Sequence, residues 1–270
     1  MVWLLYYHNK IKDMKLIILF FLLFSGGIFS KLSADAPFEK GEKLLYEISY
    51  SMYFNFTVGE VSFELMEQPR SIGDREYYHV VSEGRTYRFY DNFFKVRDYH
   101  ESFFDTETLL PRIFIRDIYE GGYEAFDYVV FDHSEESASI DNEKNIDITQ
   151  NTHDILSVLY YFRSLDFDNM NKGDSIMVDT YVSGEVYEVG AVFEGREEIK
   201  TKKGTFRTLK IRPILIAGRV FESEEDMMLY VTDDKNRIPV KIKSGISVGS
   251  ITAELSSVEN LNFPLVSRID

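Results

Sequence analysis

The most tempting chemical motif in the chain is Gly245-Ile246-Ser247-Val248-Gly249, which has the spacing of a hydrolase nucleophile elbow. Such a serine works when a sharp strand-to-helix turn exposes it beside an oxyanion hole. Here the flanks, IPVKIK and SITAEL, both have strand character, and the last histidine, His153, precedes the serine instead of following it. The two glycines read better as a hairpin or bulge. The stretch DFDNMNKGD begins like a calcium loop at Asp166 and Asp168. It fails at Met170, Asn171 and Met177, where an oxygen ligand, a glycine and a glutamate belong. His79, His100, His133 and His153 stand singly, without H-x-x-x-H or H-x-H spacing, whereas a metal needs several converging and supported ligands. His79, beside two valines, reads as a hydrogen-bonded strand residue. His133, in FDHSEES, offers at most an opportunistic cation contact. No P-loop or G-x-G-x-x-G occurs, so no catalytic residue, metal or cofactor is expected.

What remains is binding. Two aromatic and basic groups are candidate ligand contacts: Tyr87, Arg88, Phe89 and Tyr90 in one stretch, and Tyr160, Tyr161 and Arg163 on a helix. The competing reading makes the tyrosines of the second group amphipathic packing and pairs Arg163 with an acid. It is the stronger for that group, because apolar and aromatic stripes at helical spacing usually face a core.

That helix is the exception in a chain of strands. Asn151 offers an N-cap with Asp154 three positions on, and Ile155, Val158, Leu159 and Phe162 recur at helical spacing, predicting a helix from Thr152 to Ser164. YDNFFKV, from Tyr90 to Val96, is a weaker helical candidate. Elsewhere the period is two: Leu44, Tyr46, Ile48, Tyr50 and Met52 share one face, and so do Val61, Phe63 and Leu65. Hairpins are predicted at Gly121-Gly122, Asp141 to Lys144, Ser183-Gly184 and Asp233 to Asn236. The expected fold is therefore all-β and mainly antiparallel, a curved sheet or incomplete β-barrel with one amphipathic helix packed on it. It should occupy residues 41–264, either as one continuous sheet or as two halves meeting near residue 170.

Composition agrees and sets the compartment. The chain has 270 residues, 44% of them hydrophobic, with 22 Phe and 18 Tyr, side chains that suit pleated sheets. Lys10, Lys12 and Lys15 precede an apolar run from Leu16 to Phe24, and small residues follow at Ser30, Ser33 and Ala34. This order is that of a cleaved secretory signal peptide over residues 1–34, and the run is shorter than a membrane span needs. Met14 is the better start for such a peptide, which makes residues 1–13 an over-extended one. There is no cysteine, so acylation at a lipoprotein cleavage site, Cys nucleophiles and Cys-ligated metals are excluded. The net charge is −15; without residues 1–34 the balance is 26 basic against 44 acidic side chains. Such a balance argues against nucleic acid and equally against electrostatic docking on anionic lipid surfaces.

Three stretches, GEKLLYEISY…FTVGEVSFEL (Gly41 to Leu65), HDILSVLYYFRSLDF (His153 to Phe167) and DDKNRIPVKIKSGISVGSITAEL (Asp233 to Leu255), together resemble the domain of unknown function 3108 family of exported Gram-negative proteins. Their order covers essentially the whole chain after the leader. The resemblance implies a periplasmic β-rich fold with a helix against the sheet; it implies no activity and transfers no catalytic residue. The functional expectation is a soluble periplasmic protein that binds or carries a hydrophobic small molecule or lipid. The alternatives are an envelope module that pairs through a sheet edge and a glycan-acting enzyme with paired carboxylates.

Overall fold

The computed structural model describes residues 36–214, 227–246 and 248–270. The predicted leader lies outside the described residues, as does Ser247. Fifteen strands form one sheet. They are β1 (Lys43–Ser51), β2 (Asn55–Leu65), β3 (Arg70–Ile72), β4 (Arg75–Thr86), β5 (Val96–Asp105), β6 (Pro111–Glu120), β7 (Tyr123–Asp132) and β8 (Ser137–Ile140). After β9 (Lys144–Asp147) come β10 (Ser175–Val182), β11 (Glu185–Thr201), β12 (Gly204–Ile214), β13 (Met227–Thr232), β14 (Pro239–Gly245) and β15 (Ser250–Glu259). Among the described residues the one α-helix, α1 (Ser157–Arg163), has seven residues and lies between β9 and β10.

The sheet is a meander of antiparallel neighbours in the order β10 to β15, then β1, β2, β4 to β9, with β3 attached to β4. One long-range pairing, β15 with β1, joins the two runs, and its register carries Ser250 opposite Ser51 and Lys43 opposite Glu259. The predicted hairpins all form. Gly121 and Gly122 turn with φ of 58° and 96°, and Ser183 and Gly184 with 51° and 88°, the positive values that two-residue β-turns demand. Gly245 and Gly249 flank the β14–β15 hairpin. At Gly249, with φ of 94°, a side chain would run into the Ser51 carbonyl oxygen, so the second glycine of the G-x-S-x-G pattern serves strand packing.

The curved sheet does not close by strand pairing, because its edge strands are β9 and β10. The segment after β9 spans the seam: His153 N–H donates to the Asp179 carbonyl (2.8 Å), and Tyr181 N–H to the His153 carbonyl (2.8 Å), a short parallel bridge. Arg116 on β6 reaches across to the Ser183 hydroxyl at 2.5 Å.

Inside the curve, Leu44, Tyr46, Ile48, Val61, Phe63 and Leu65 are buried as their alternation predicts. Tyr50 is only half-buried and Met52 falls past the end of β1, where it is exposed, so the inward stripe is two residues shorter than the pattern. The helix also begins later than predicted. Asp154, not Asn151, caps it, accepting the Leu156 and Ser157 N–H groups at 2.7 and 2.8 Å, while the Ser157 hydroxyl accepts the Asp154 N–H at 3.0 Å. Thr152 and His153 cannot be helical because they are drawn into the seam. Of the YDNFFKV candidate, a three-residue 3-10 turn at Tyr90–Asn92 survives; Val96 already belongs to β5.

Candidate functional site

Helix α1 is packed inside the sheet, and of its three predicted contact residues Tyr160 and Arg163 are buried and Tyr161 packs against the core. Tyr160 is fully buried, edge-on to Phe38 at 4.8 Å and tilted against Phe104 at 5.3 Å. Its hydroxyl has no hydrogen-bond partner among the described residues. Tyr161 is half-buried and lies 4.8 Å from the His153 ring. Arg163 is buried and forms a two-pronged ion pair with Glu42 (2.5 and 2.7 Å). It also donates to the Pro37 and Asn236 carbonyls and sits over the Phe38 and Tyr160 rings. Four of the five N–H donors of the guanidinium thus tie the helix to the N-terminal segment and the β13–β14 turn.

The other predicted group lies elsewhere, on the β4–β5 loop. Tyr87 and Tyr90 are half-buried, and Arg88 and Phe89 are exposed. The loop is held in shape: Thr86 donates its hydroxyl to Asp91 (2.6 Å) and accepts the Val96 N–H (3.0 Å), and Arg97 pairs with Asp91 at 2.6 Å. Tyr87 N–H donates to the Val58 carbonyl on β2, and the Phe94 ring packs where a side chain on Gly121 would stand. Held this way, Phe89 and Phe93 are 68% and 71% exposed, with ring centroids 5.8 Å apart.

They are not alone. The registers Ser250 to Ser51, Ser51 to Asn55, Gly59 to Thr86, Val96 to Glu120 and Glu120 to Tyr123 place four turns side by side at one end of the sheet. The β1–β2 turn carries Met52, Tyr53 (84% exposed) and Phe54 (73%), with Phe56 just beyond. Tyr123 and Phe126 follow the β6–β7 turn, and Val248 sits in the β14–β15 turn, whose carbonyl accepts the Tyr50 hydroxyl. Eight of the eleven large hydrophobic side chains exposed among the described residues therefore belong to this one rim, with Phe126 further down β7. Of the rim, sequence reasoning singled out only the Tyr87 to Tyr90 stretch. The missed signal is SMYFNFTV, Ser51 to Val58, an uncharged aromatic run at a turn.

Below the rim the inner wall turns polar. His100, Arg116 and Asp127 are cross-strand neighbours on β5, β6 and β7, with Arg116 and Asp127 paired at 2.6 Å. One step nearer the rim, Asp98 accepts the Tyr119 N–H at 3.2 Å through one carboxyl oxygen, and its other oxygen is unpartnered among the described residues. Burial, then the charge of Glu120, push the Asp98 carboxyl up to about 8. Burial and the Arg116 charge hold His100 down to about 3, so its ring stays neutral. On the helix side, the buried Asp154 accepts the Ser102 hydroxyl at 2.5 Å, and burial raises its carboxyl to about 6.

The remaining histidines each make one side-chain hydrogen bond, and the buried Nδ1 of His133 has no partner among the described residues. His79 pairs with Glu101 at 2.6 Å and stacks on Phe103. His133 bonds the Pro111 carbonyl at 2.7 Å, and His153 the Ser157 hydroxyl at 3.1 Å. Among the described residues no group of three or more His, Asp or Glu side chains is placed to hold a metal, and no helix is long and apolar enough to cross a membrane.

A meander of antiparallel strands curled around a short internal helix defines the class: a barrel-like β protein whose sheet stays open at one seam. The chain belongs to the family described as protein of unknown function (DUF3108), whose model matches residues 45–256. No curated protein matches the sequence. Among solved structures, the chain is similar to a β-barrel-like protein of the DUF1849 domain from Brucella abortus, at 8% identity and a TM-score of 0.53, over 82% of this chain and 98% of that one. A putative exported protein with a YmcC-like fold from Bacteroides fragilis matches at 11% identity and a TM-score of 0.32, covering 88% of this chain and 99% of that one. The first likeness establishes the barrel-like fold.

Proposed function

We propose that this protein is a non-catalytic, exported protein of the cell envelope that binds the apolar part of an amphipathic molecule at its aromatic rim. The observation that carries the reading is the concentration of exposed Phe, Tyr and Met side chains on adjacent turns at one end. Exposed apolar clusters of this kind mark binding surfaces, since a soluble chain otherwise gains nothing by keeping them in water. The stapled β4–β5 loop adds to the argument, because a preformed surface loses little freedom on binding. Phe89 and Arg88 remain contacts in this reading; Tyr160 and Arg163 are replaced by Phe54 and Phe93.

The two competing readings meet physical objections. Pairing through an edge needs a long free strand, but β9 has four residues and begins with Lys144, and β10 is bridged at His153. Paired carboxylates with one raised pKa do occur at Asp98 and Glu120. Both are buried in the sheet wall, at 4% and 3% exposure, which argues against direct contact with a sugar.

Titration with an anilinonaphthalene sulfonate dye tests the proposal. One saturable site is expected, lost in a Phe89→Ser/Phe93→Ser double variant and retained in Tyr160→Phe. Native mass spectrometry of protein taken from its own cells should show a retained amphipathic molecule. Dye binding that the rim substitutions leave intact would remove the rim from the argument.

A further inference from the structure

We propose that the rim docks the protein on the surface of an anionic lipid bilayer. The tips of the β1–β2, β4–β5 and β14–β15 turns would enter the boundary between headgroups and acyl chains, and Arg88 and Lys95 would face the lipid phosphates. The proposal rests on the rim being a binding surface and names what it binds first: the membrane from which an amphipathic ligand is drawn or to which it is delivered.

Shape, composition and charge each favour a bilayer over a protein partner. The apolar groups stand on separate projecting turns, a form suited to insertion into a soft interface and poorly suited to flat, complementary packing. Tyr53, Phe54, Phe89 and Phe93 are the amphipathic and aromatic types that settle at the headgroup level. The turn that projects Tyr53 and Phe54 lies in a run, Ser51 to Val58, that contains no charge to be desolvated.

The decisive feature is local charge. The chain as a whole is strongly acidic, at −15, yet the stretch from Arg85 to Arg97 holds four basic residues and one acid. Arg97 is neutralised by Asp91, and Arg85 by Glu60 at 2.6 Å. Arg88 is exposed beside Phe89 with no carboxylate partner among the described residues. Lys95 is also exposed, its ammonium 5.0 Å from the centre of the Tyr119 ring. Two exposed cations, neither in contact with a carboxylate among the described residues, thus flank the protruding phenylalanines, Lys95 within the field of Asp91, although the chain as a whole is acidic.

Flotation with vesicles of phosphatidylglycerol and phosphatidylethanolamine, compared with phosphatidylcholine alone, tests this on the protein as its cells process it. The wild type should float with the anionic vesicles and weakly or not at all with the neutral ones. Phe54→Ser/Phe89→Ser/Phe93→Ser should abolish flotation. Arg88→Gln/Lys95→Gln should weaken it by roughly fivefold per cation at low salt, with little effect of added salt on what remains. Val266→Ser, at an exposed apolar residue outside the rim, serves as the folded control and should float like the wild type. Absence of flotation by a folded wild type, or flotation indifferent to the triple substitution, overturns the proposal. If the dye site persists in that case, the ligand-binding reading stands without the membrane; if both are absent, both fall. Self-association lost in the triple variant, with no vesicle binding, would assign the rim to a second copy of the chain and also overturn the proposal.

Discussion

Replacing Asp98 with Asn should stabilise the protein at and above neutral pH and leave its stability nearly unchanged at about pH 4. In the folded state burial and the Glu120 charge raise this carboxyl from 3.8 to about 8. The unfolded chain therefore releases the proton that the folded chain keeps, and stability falls as pH climbs from the first value towards the second. Each pH unit in that window costs about 1.4 kcal/mol, so the loss reaches at most about 4 kcal/mol at neutral pH and about 1.6 kcal/mol two units lower. Asn carries no charge to bury and retains a carbonyl to accept the Tyr119 N–H. Urea unfolding of wild type and Asp98→Asn at several pH values between about 4 and 8.5 measures the difference directly. The gap in favour of Asn should open steadily as pH rises. A pH-independent gap, or a variant that is less stable at high pH, would show that the charged carboxylate is well satisfied in the wall and refute the reasoning.

Other perturbations follow from the same interior. Arg163→Ala should cost about 3–5 kcal/mol, because it strands the buried Glu42 carboxylate; equilibrium unfolding gives the value, and Glu42→Ala/Arg163→Ala should cost clearly less than the two single losses added together. Tyr160→Phe should leave stability unchanged or raise it by up to about 1 kcal/mol, since the hydroxyl it removes is buried without a partner. Asp154→Ala removes the helix cap and orphans the Ser102 hydroxyl, so a loss of about 2 kcal/mol or more is expected in thermal or urea melts. His100 and His153, both held down to about 3, stay neutral while the unfolded chain takes up protons below about 6.5. They lower stability as pH falls through that range, and His100→Gln should flatten this acid limb in a pH series of melts.

The chain's own alternation was sufficient for its local architecture. Leu44, Tyr46 and Ile48 on one side of β1, Val61, Phe63 and Leu65 on β2, and glycines or Asp-Asn pairs at the turns specify strands and hairpins, because a two-residue period has one apolar face to bury and positive φ has few hosts. The helix was legible from its 3.6-residue spacing, and the pairing of Arg163 with an acid from the cost of burying a lone guanidinium. What local pattern could not supply was any decision that depends on residues far apart in the chain. Asn151 and Asp154 are equally good caps, and only the bridge between His153 and β10 makes Asp154 the one used. Asp98, His100 and Arg116 read as polar positions on ordinary strands; the register of β5 against β6 turns them inward and strips their water. The rim needed the pairing of β15 with β1, across two hundred residues of sequence, to bring turns from both ends of the chain to one edge. Strand periodicity is a property of neighbours, whereas a surface is built from whatever the folded sheet sets side by side.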